Sequence, residues 1–224
     1  MNFNMIKRLI FKDWYLQRVL IPLSLLGGAA ALATILYGGR PGFILGLILL
    51  ITVLVTTSAM LTMNMTVLER KEQTLPFVMS LPISYRDYTA AKLLGILGSF
   101  LVPWSLFMVA SFTILALAPT HSQGLIPYVA IMGTEILVST SLITAVGLIT
   151  ESQGWAITAM MIGNVALNAF GYLVAHLDGV SRYMFGPVAR WTPLAAGLLF
   201  AECATIALML GGTFLVQSRK KDFL

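Results

Sequence analysis

The sequence predicts an all-α membrane protein with six transmembrane helices, and this prediction depends on three observations. First, 58% of the 224 residues are hydrophobic and only 10% are charged, which leaves too little polar surface to coat a soluble globule. Second, six apolar runs are each long enough to cross about 30 Å of hydrocarbon as a helix. Third, no run alternates apolar and polar residues as the strands of a membrane barrel do, and helices satisfy their own backbone amides in lipid.

An amphipathic helix is predicted before the first span, over residues 4–18. Ile6, Ile10 and Trp14 recur at helical spacing with Lys7 and Lys12 between them, a pattern typical of a helix at the membrane interface. Anchoring of the first span by an aromatic residue and several bases explains the same pattern, so a mechanical role of this helix stays open. The chain is then a single transmembrane domain with a cytoplasmic region at residues 69–92. Its predicted spans cover about residues 19–37, 42–68, 93–117, 126–150, 155–174 and 194–216.

The basic residues predict the orientation of the six spans. With both termini in the cytoplasm, eleven of the fourteen lysines and arginines lie inside, and only Arg40, Arg182 and Arg190 lie outside. The formal charge of +5 lies beside the spans, which favours contact with anionic membrane lipids and indicates no nucleic-acid partner. The single cysteine, Cys203, and the two histidines in predicted outer loops give no ligand set, so no metal site is expected.

A charged stretch of sequence, LERKEQTLPFVMSLPISYRDYTAAKLLG at residues 68–95, separates the second and third spans. Pro76 and Pro82 each remove a backbone donor, and they bracket an apolar segment at residues 77–79 that is too short to span. Ser84 and Asp87 match a capping box, which predicts the start of the helix that enters the third span. An apolar segment held out in water usually has a partner, although folding back under the bilayer explains the same pattern.

The same stretch resembles that of ABC-2 type permeases, the membrane subunits of bacterial ABC exporters. The similarity rests on ERKEQTL at residues 69–75, SLPIS at residues 80–84 and YTAAKLL at residues 88–94, and the six-span plan agrees with it. The resemblance implies that residues 74–80 form a coupling helix that docks on a separate cytoplasmic ABC ATPase subunit. It also implies the inner (plasma) membrane as location, and a homodimer or a heterodimer with a related permease. Short re-entrant helices that close the exit toward the outside are implied between the fifth and sixth spans.

The predicted ATPase-coupling site is the apolar segment together with the polar residues around it. Phe77 and Met79 are the expected apolar plug, and the charged side chains are expected to form a rim that fixes the orientation of the partner. The sequence has no G-x-x-x-x-G-K-[ST] loop, so we expect the partner subunit to use ATP and Mg²⁺ and this chain to bind no cofactor. The predicted coupling residues are Arg70, Lys71, Glu72, Thr74, Leu75, Phe77, Val78, Met79, Ser80, Arg86 and Asp87.

Polar residues within the spans are the candidates for a translocation path. Glu135 and Glu202 are the only acids inside the spans, where an ionised carboxylate is costly. Each lies about nine residues from the outer end of its helix, so the two could share one plane. Hydrogen bonds to Ser139 or Thr205, one turn away, are the alternative explanation. The other candidates form stripes at four-residue spacing on the second and fifth spans, namely Ser58, Thr62, Thr66, Asn164 and Asn168.

These observations favour the permease subunit of an ATP-driven exporter whose substrate is an amphipathic lipid, peptide or drug-like molecule. A self-sufficient channel or secondary transporter is one alternative. Such proteins often show matched halves or helix breaks near the midplane, and the first three spans do not visibly repeat in the last three. A membrane-embedded enzyme is the other alternative, but it needs a catalytic motif such as G-x-S-x-G or H-E-x-x-H, and neither occurs in the sequence.

Overall fold

The computed structural model describes residues 3–68, 85–117 and 123–219, which form helices joined by short turns. No strand occurs among these residues. A π-helical turn, Met63–Leu68, continues the third helix, and a 3-10 turn, Gln123–Leu125, precedes the fifth. The helices are α1 (Phe3–Leu16), α2 (Leu20–Tyr37), α3 (Gly39–Thr62), α4 (Tyr85–Leu117), α5 (Ile126–Thr150), α6 (Gln153–His176), α7 (Asp178–Met184) and α8 (Pro193–Ser218).

Six of the described helices, α2 to α6 and α8, are long and apolar enough to cross a membrane. The prediction of an all-α membrane protein is therefore confirmed. α4 is 33 residues long, or about 50 Å, and exceeds the ~30 Å of hydrocarbon that it has to cross. Its charged residues, Arg86, Asp87 and Lys92, all lie in the first turns, so the start of α4 is the part that extends beyond the hydrocarbon.

The α2–α3 hairpin depends on two glycines. Gly39 begins α3 with φ 61°, in the left-handed region that glycine adopts without strain. The second glycine is Gly46 on α3, where an added Cβ atom would lie 2.4 Å from the Ile35 side chain and 2.8 Å from the Ala31 carbonyl oxygen of α2. A side chain at position 46 would therefore force α2 to move, and the two helices pack with their backbones close together.

Local sequence signals fix the ends of the later helices. Thr192 caps α8, since its hydroxyl accepts a hydrogen bond of 3.2 Å from the Ala195 amide, and Pro193 occupies the first turn. At the end of α5, Glu151 has φ 51° and its amide donates to the Gly147 carbonyl oxygen, which ends the helix. α6 starts almost at once, so α5 and α6 form a tight antiparallel pair.

The main core lies where α2, α3, α4 and α5 meet. It includes Leu54, Leu61, Ile96, Phe100 and Ile136, all of them fully or almost fully buried. The outward faces of the spanning helices also carry large apolar side chains, as expected of helices that face lipid. Because lipid is as apolar as the core, close packing and polar contacts, rather than exclusion from water, decide which helices are neighbours.

α1 packs at one end of the bundle. Its Ile6 and Leu9 contact Ala90 and Ala91 near the start of α4, and Phe214 near the end of α8 joins this cluster. The first and last described helices therefore meet at the same end, as an even number of membrane crossings requires. We call it the α1 end.

α7 lies at the opposite end, between α6 and α8. Its Val180 and Met184 are buried against the start of α5, the end of α6 and the start of α8. The Gly124 amide donates to the Gly186 carbonyl oxygen at 3.1 Å, which joins the segment after α7 to the start of α5. One short helix thus lies between the fifth and sixth spans.

α8 is the most exposed of the six long helices. Its buried residues are Ala195, Glu202, Thr213 and Gln217, so the stripe that faces the bundle is mostly polar. The Gln217 side-chain amide donates to the Leu148 carbonyl oxygen of α5. α8 therefore makes a polar contact with α5 through Gln217, and most of its apolar residues between its two ends face outward.

Candidate functional site

The face of α1 that packs on the bundle carries an acidic residue. Asp13 is seven residues after Ile6 and four after Leu9, so the three share one face of the helix. Asp13 is only 1% exposed, and Lys92 on α4 is buried to the same extent. The Lys92 Nζ donates a charge-assisted hydrogen bond of 2.8 Å to the Asp13 Oδ2. An ion pair removed from water therefore joins α1 to α4.

A second ammonium group contacts the same carboxylate. The Lys12 Nζ lies 3.3 Å from the Asp13 Oδ1, but the Lys12 side chain is 39% exposed. An exposed ion pair contributes little, whereas a buried charge that loses its partner is costly to leave in place. The contact with Lys92 therefore fixes α1 more strongly than the contact with Lys12.

A neutral hydrogen bond ties the end of α1 to α3. The Asn64 Nδ2 donates to the Gln17 Oε1 at 3.1 Å, and Gln17 is buried. Asn64 belongs to the π-helical turn that continues α3, an irregularity that is frequent at functional positions. We call Asp13, Gln17, Asn64 and Lys92 the polar anchor.

The polar anchor lies on both sides of the predicted coupling segment. Asn64 precedes that segment and Lys92 follows it, so α1 contacts both flanking helices. Of the predicted rim residues, Arg86 is exposed and Asp87 is buried in the first turn of α4. The other predicted coupling residues and the capping serine lie outside the described residues: Arg70, Lys71, Glu72, Thr74, Leu75, Phe77, Val78, Met79, Ser80 and Ser84.

A cavity of about 400 Å³ lies between α3 and α6 in the half of the bundle nearer to α1. Three methionines, Met60, Met63 and Met160, line it together with two amide side chains, Asn64 and Asn164. Methionine side chains adapt to apolar groups of different shape, and amides offer both hydrogen-bond donors and acceptors. This cavity, which we call the methionine groove, is therefore suited to an amphipathic molecule.

The polar stripe of α3 faces α5 and does not line the methionine groove. Ser58, Thr62 and Thr66 are all buried, and the Thr62 hydroxyl lies 3.3 Å from the Thr144 hydroxyl of α5. The absence of a side chain at Gly147 allows this contact, since a Cβ there would lie 3.2 Å from the Thr62 methyl group. Thr62 and Thr66 thus pack α3 against α5.

The two asparagines of the fifth span that are candidates for the translocation path differ in their surroundings. Asn164 lines the methionine groove, while Asn168 is exposed and donates its side-chain amide to the Asn164 carbonyl oxygen at 2.8 Å. α3 and α6, whose polar stripes are candidates for a translocation path, therefore flank one cavity. Of the predicted path residues, Asn164 is the one that lines it.

The two acids within the spans lie on neighbouring helices. Glu135 on α5 and Glu202 on α8 are close enough to interact electrostatically. Glu202 is 6% exposed, and neither of its carboxyl oxygens has a hydrogen-bond partner in the part of the chain that the structure describes. The Thr205 hydroxyl, a possible partner by sequence, donates to the Ala201 carbonyl oxygen instead. A buried acid of this kind within a membrane is a typical position for binding a proton or a cation.

The polar anchor is not among the site residues predicted from the sequence. One signal for it exists, because Asp13 is an acid on the otherwise apolar face of α1 and Gln17 continues that face four residues later. No comparable signal marks Lys92 or Asn64. A lysine at the end of a span is ordinary, and so is an asparagine where a span leaves the membrane.

Within the described ranges, no group of three or more histidine, cysteine, aspartate or glutamate side chains could hold a metal ion. Comparison of the chain with protein-family models, with curated proteins and with solved structures found no match. The functional conclusion therefore rests on the polar anchor, the methionine groove and the two acids within the spans, of which Glu202 is buried.

Proposed function

We propose that this chain is the membrane-spanning permease subunit of an ABC-2 type exporter, in which separate ATPase subunits drive the export of an amphipathic substrate. The polar anchor is the observation that carries the proposal. It connects α1 to both helices that flank residues 69–84, the segment whose sequence resembles the coupling region of that family. A force applied to this segment would therefore move three connected helices together.

Buried charge makes this connection resistant to separation. The Asp13–Lys92 pair is shielded from water, and pulling its two charges apart within the protein would lose an attraction that water does not replace. α4 then extends the movement across the bilayer, because it runs as one helix from Tyr85 to Leu117. The amphipathic helix α1 is, in this proposal, a mechanical part and not only an anchor for the first span.

The methionine groove is the proposed place for the substrate. Its walls belong to α3 and α6, and Asn64 both lines the groove and binds α1. Movement of the polar anchor would therefore change the width of the groove. With both termini in the cytoplasm, the groove lies in the inner half of the membrane, where an amphipathic molecule can enter from the lipid.

The proposed complex contains more than this chain. A second copy or a related permease pairs with it in the inner (plasma) membrane, and the ATPase subunits bind ATP and Mg²⁺ on the cytoplasmic side. The apolar segment at residues 77–79 is the proposed contact with an ATPase subunit.

A cross-linking experiment tests this contact. Cys203 is the only cysteine, so a Cys203→Ala background leaves no other thiol. Phe77→Cys in that background is treated in native membranes with a thiol-specific cross-linker, and adducts are identified by mass spectrometry. We expect an adduct with a P-loop protein, whose yield changes when ATP and vanadate are added. Ala118→Cys, in a predicted outer loop, is the control and should give no such adduct.

A different cross-linking result would contradict the proposal. If position 77 yields no adduct with a P-loop protein, or yields one that ignores nucleotide, the proposed coupling is wrong. Labelling of position 77 by lipid-soluble reagents alone would support the alternative in which this segment folds back under the bilayer.

The buried acid Glu202 favours a second candidate, a proton-coupled secondary transporter. Glu202 is buried without a hydrogen-bond partner among the described residues, and a second acid, Glu135, lies on the neighbouring helix α5. An experiment on the purified chain, without any ATPase, distinguishes the two candidate functions. In liposomes under an imposed pH gradient, a proton-coupled carrier gives a substrate-dependent proton flux, which a pH dye trapped inside detects. Glu202→Gln should remove this flux, and Glu151→Gln should not. Under the exporter proposal, the wild-type chain gives no such flux.

A further inference from the structure

A second cavity lies among α2, α3, α4 and α5, towards the end of the bundle opposite α1. Its volume is about 150 Å³, and its lining includes Phe43 near the start of α3 and Leu115 near the end of α4. It shares no lining residue with the methionine groove. This apolar cavity is therefore separate from the place proposed for the substrate.

The lining of the apolar cavity suits hydrocarbon and not water. No charged side chain lines it among the residues that the structure describes, and side-chain hydroxyls come only from Ser111 and Tyr128. The Tyr128 hydroxyl already contacts the Gly171 carbonyl oxygen, at 3.4 Å. A water molecule held in a cavity needs about two to four polar partners, which this lining does not offer.

Two methionines give the cavity an adaptable wall. A Cβ atom on Gly133 would lie 2.4 Å from the Met108 Cε, so the Met108 side chain occupies the notch that this glycine leaves. Met132 lines the cavity as well, and unbranched thioether side chains change rotamer easily. The backbones stay in place, since the Trp104 Nε1 donates to the Gly133 carbonyl oxygen at 2.8 Å and so joins α4 to α5.

We propose that the apolar cavity binds a hydrocarbon group of about the size of a benzene ring. An empty apolar cavity lacks the dispersion contacts that its walls would otherwise make, and a hydrocarbon occupant restores them without breaking a hydrogen bond. Apolar cavities of about this volume in protein interiors stay dry and bind benzene or xenon. Two sources can supply such a group in a membrane, a free apolar molecule and the end of a lipid acyl chain.

Fluorine NMR of the full chain in lipid nanodiscs tests this site. One probe is fluorobenzene, and the other is phosphatidylcholine with a trifluoromethyl group at the end of an acyl chain. Val129→Phe fills the cavity, because Val129 lines it and the new ring takes up the space of the ligand. Val165→Phe is the matched control, since Val165 is 71% exposed on α6 and lines neither cavity.

We expect a protein-bound resonance that is shifted from the signal of probe dissolved in the bilayer and that saturates as probe is added. Val129→Phe should weaken this binding about tenfold or more because the space is occupied, while Val165→Phe should leave it unchanged. A bound resonance from fluorobenzene alone identifies free apolar molecules as the source of the group. A bound resonance from the lipid probe identifies the acyl-chain end.

The proposal is overturned if neither probe gives a bound resonance with the wild-type chain, or if the filled variant binds as well as the control. Circular dichroism and gel filtration verify that the variants fold. Should Val129→Phe fail to fold, Leu47→Phe fills the same cavity from the α3 side. No ATPase enters the experiment, so its result does not depend on the proposed function.

Discussion

Asp13 contacts two lysines of very different exposure. The side chain of Lys92 is 1% exposed and that of Lys12 is 39% exposed. Charges interact more strongly where water is excluded, and an unpaired charge is more costly there for the same reason. One carboxylate therefore makes a contact that holds two helices together and a second contact that adds little.

Asp13→Asn should release α1 from α4. A neutral amide removes the negative charge that pairs with the buried Lys92 ammonium group, so we expect the free energy of unfolding to fall by about 3–5 kcal/mol. Thermal denaturation of the purified chain in nanodiscs measures the loss, and hydrogen exchange of the α1 amides reports the release. Lys12→Gln is the matched control, with an expected change of no more than about 1 kcal/mol. Equal effects of the two substitutions would contradict the assignment of the buried pair.

A double variant separates the ion pair from the packing around it. Asp13→Leu together with Lys92→Met replaces both charges by apolar side chains, which in buried sites is often neutral or stabilising. We therefore expect the double variant to recover most of the stability that either single charge removal loses.

Of the two residues in the Asp13–Lys92 contact, the sequence indicates only Asp13. The periodicity of α1 places Asp13 on the packed face, but Lys92 is 79 residues away, and its partner depends on how α1 crosses α4. The same limit applies to the acids within the spans. Glu135 and Glu202 are recognisable by their apolar surroundings, whereas their proximity depends on the packing of α5 against α8.

Helix α3 has two faces with different neighbours. One carries Ser58, Thr62 and Thr66 and packs on α5, while the methionine groove is lined by residues that include Thr56 and Met60. Spacing in the sequence defines which residues share a face of a helix, but it does not identify what that face contacts. A polar stripe on α3 alone therefore could not distinguish a translocation path from a contact between helices.

Cysteines at two adjacent positions distinguish the methionine groove from the lipid face of α6. Met160 lines the groove, whereas Met161 is 62% exposed on the outer face. In the Cys203→Ala background, a charged methanethiosulfonate reagent should modify Met160→Cys at least about tenfold faster than Met161→Cys, because the reactive thiolate forms in water and not in hydrocarbon. Mass spectrometry of timed samples gives both rates. Similar rates would mean that water does not reach the groove.

Gly46→Ala tests the close approach of α2 and α3. Its Cβ would lie 2.4 Å from the Ile35 side chain and 2.8 Å from backbone atoms of α2, so the helices must separate. We expect thermal denaturation in nanodiscs to show a loss of about 1–3 kcal/mol. The control is Gly211→Ala on α8, where no side chain and no other helix lies within 4 Å of the new Cβ, and its stability should stay within about 1 kcal/mol of the wild type. A loss at both positions would point to a general effect of glycine replacement.

At the scale of the whole molecule, the number of spans follows from the sequence and their arrangement does not. Apolar runs of sufficient length are separated by charged segments or by turns with glycine and proline, which is enough to count six helices. Within lipid, no hydrophobic force selects the neighbours of a helix, so close contacts such as that of Gly46 and polar contacts such as that of Gln217 select them. The Gln217 contact joins residues that are 69 positions apart, and no local pattern specifies it.

The orientation of the molecule can be measured with single cysteines in the full chain. Val188 is exposed between α7 and α8, at one end of the bundle, and Arg219 is exposed just after α8, at the other. Eleven of the fourteen basic residues lie toward the α1 end in the predicted arrangement, and basic residues near spans remain in the cytoplasm. In the Cys203→Ala background, an impermeant maleimide added to intact cells should label Val188→Cys at once, and Arg219→Cys only after the membrane is permeabilised.

This labelling pattern is a condition for ATP-driven export and not only a topological detail. The polar anchor and the two helices that flank residues 69–84 are all at the α1 end. An ATPase can act on them only if that end faces the compartment that contains ATP. Labelling of Arg219→Cys in intact cells, with Val188→Cys protected, would place the α1 end outside. The exporter proposal would then fail, while the packing of the helices and the two cavities would stand unchanged.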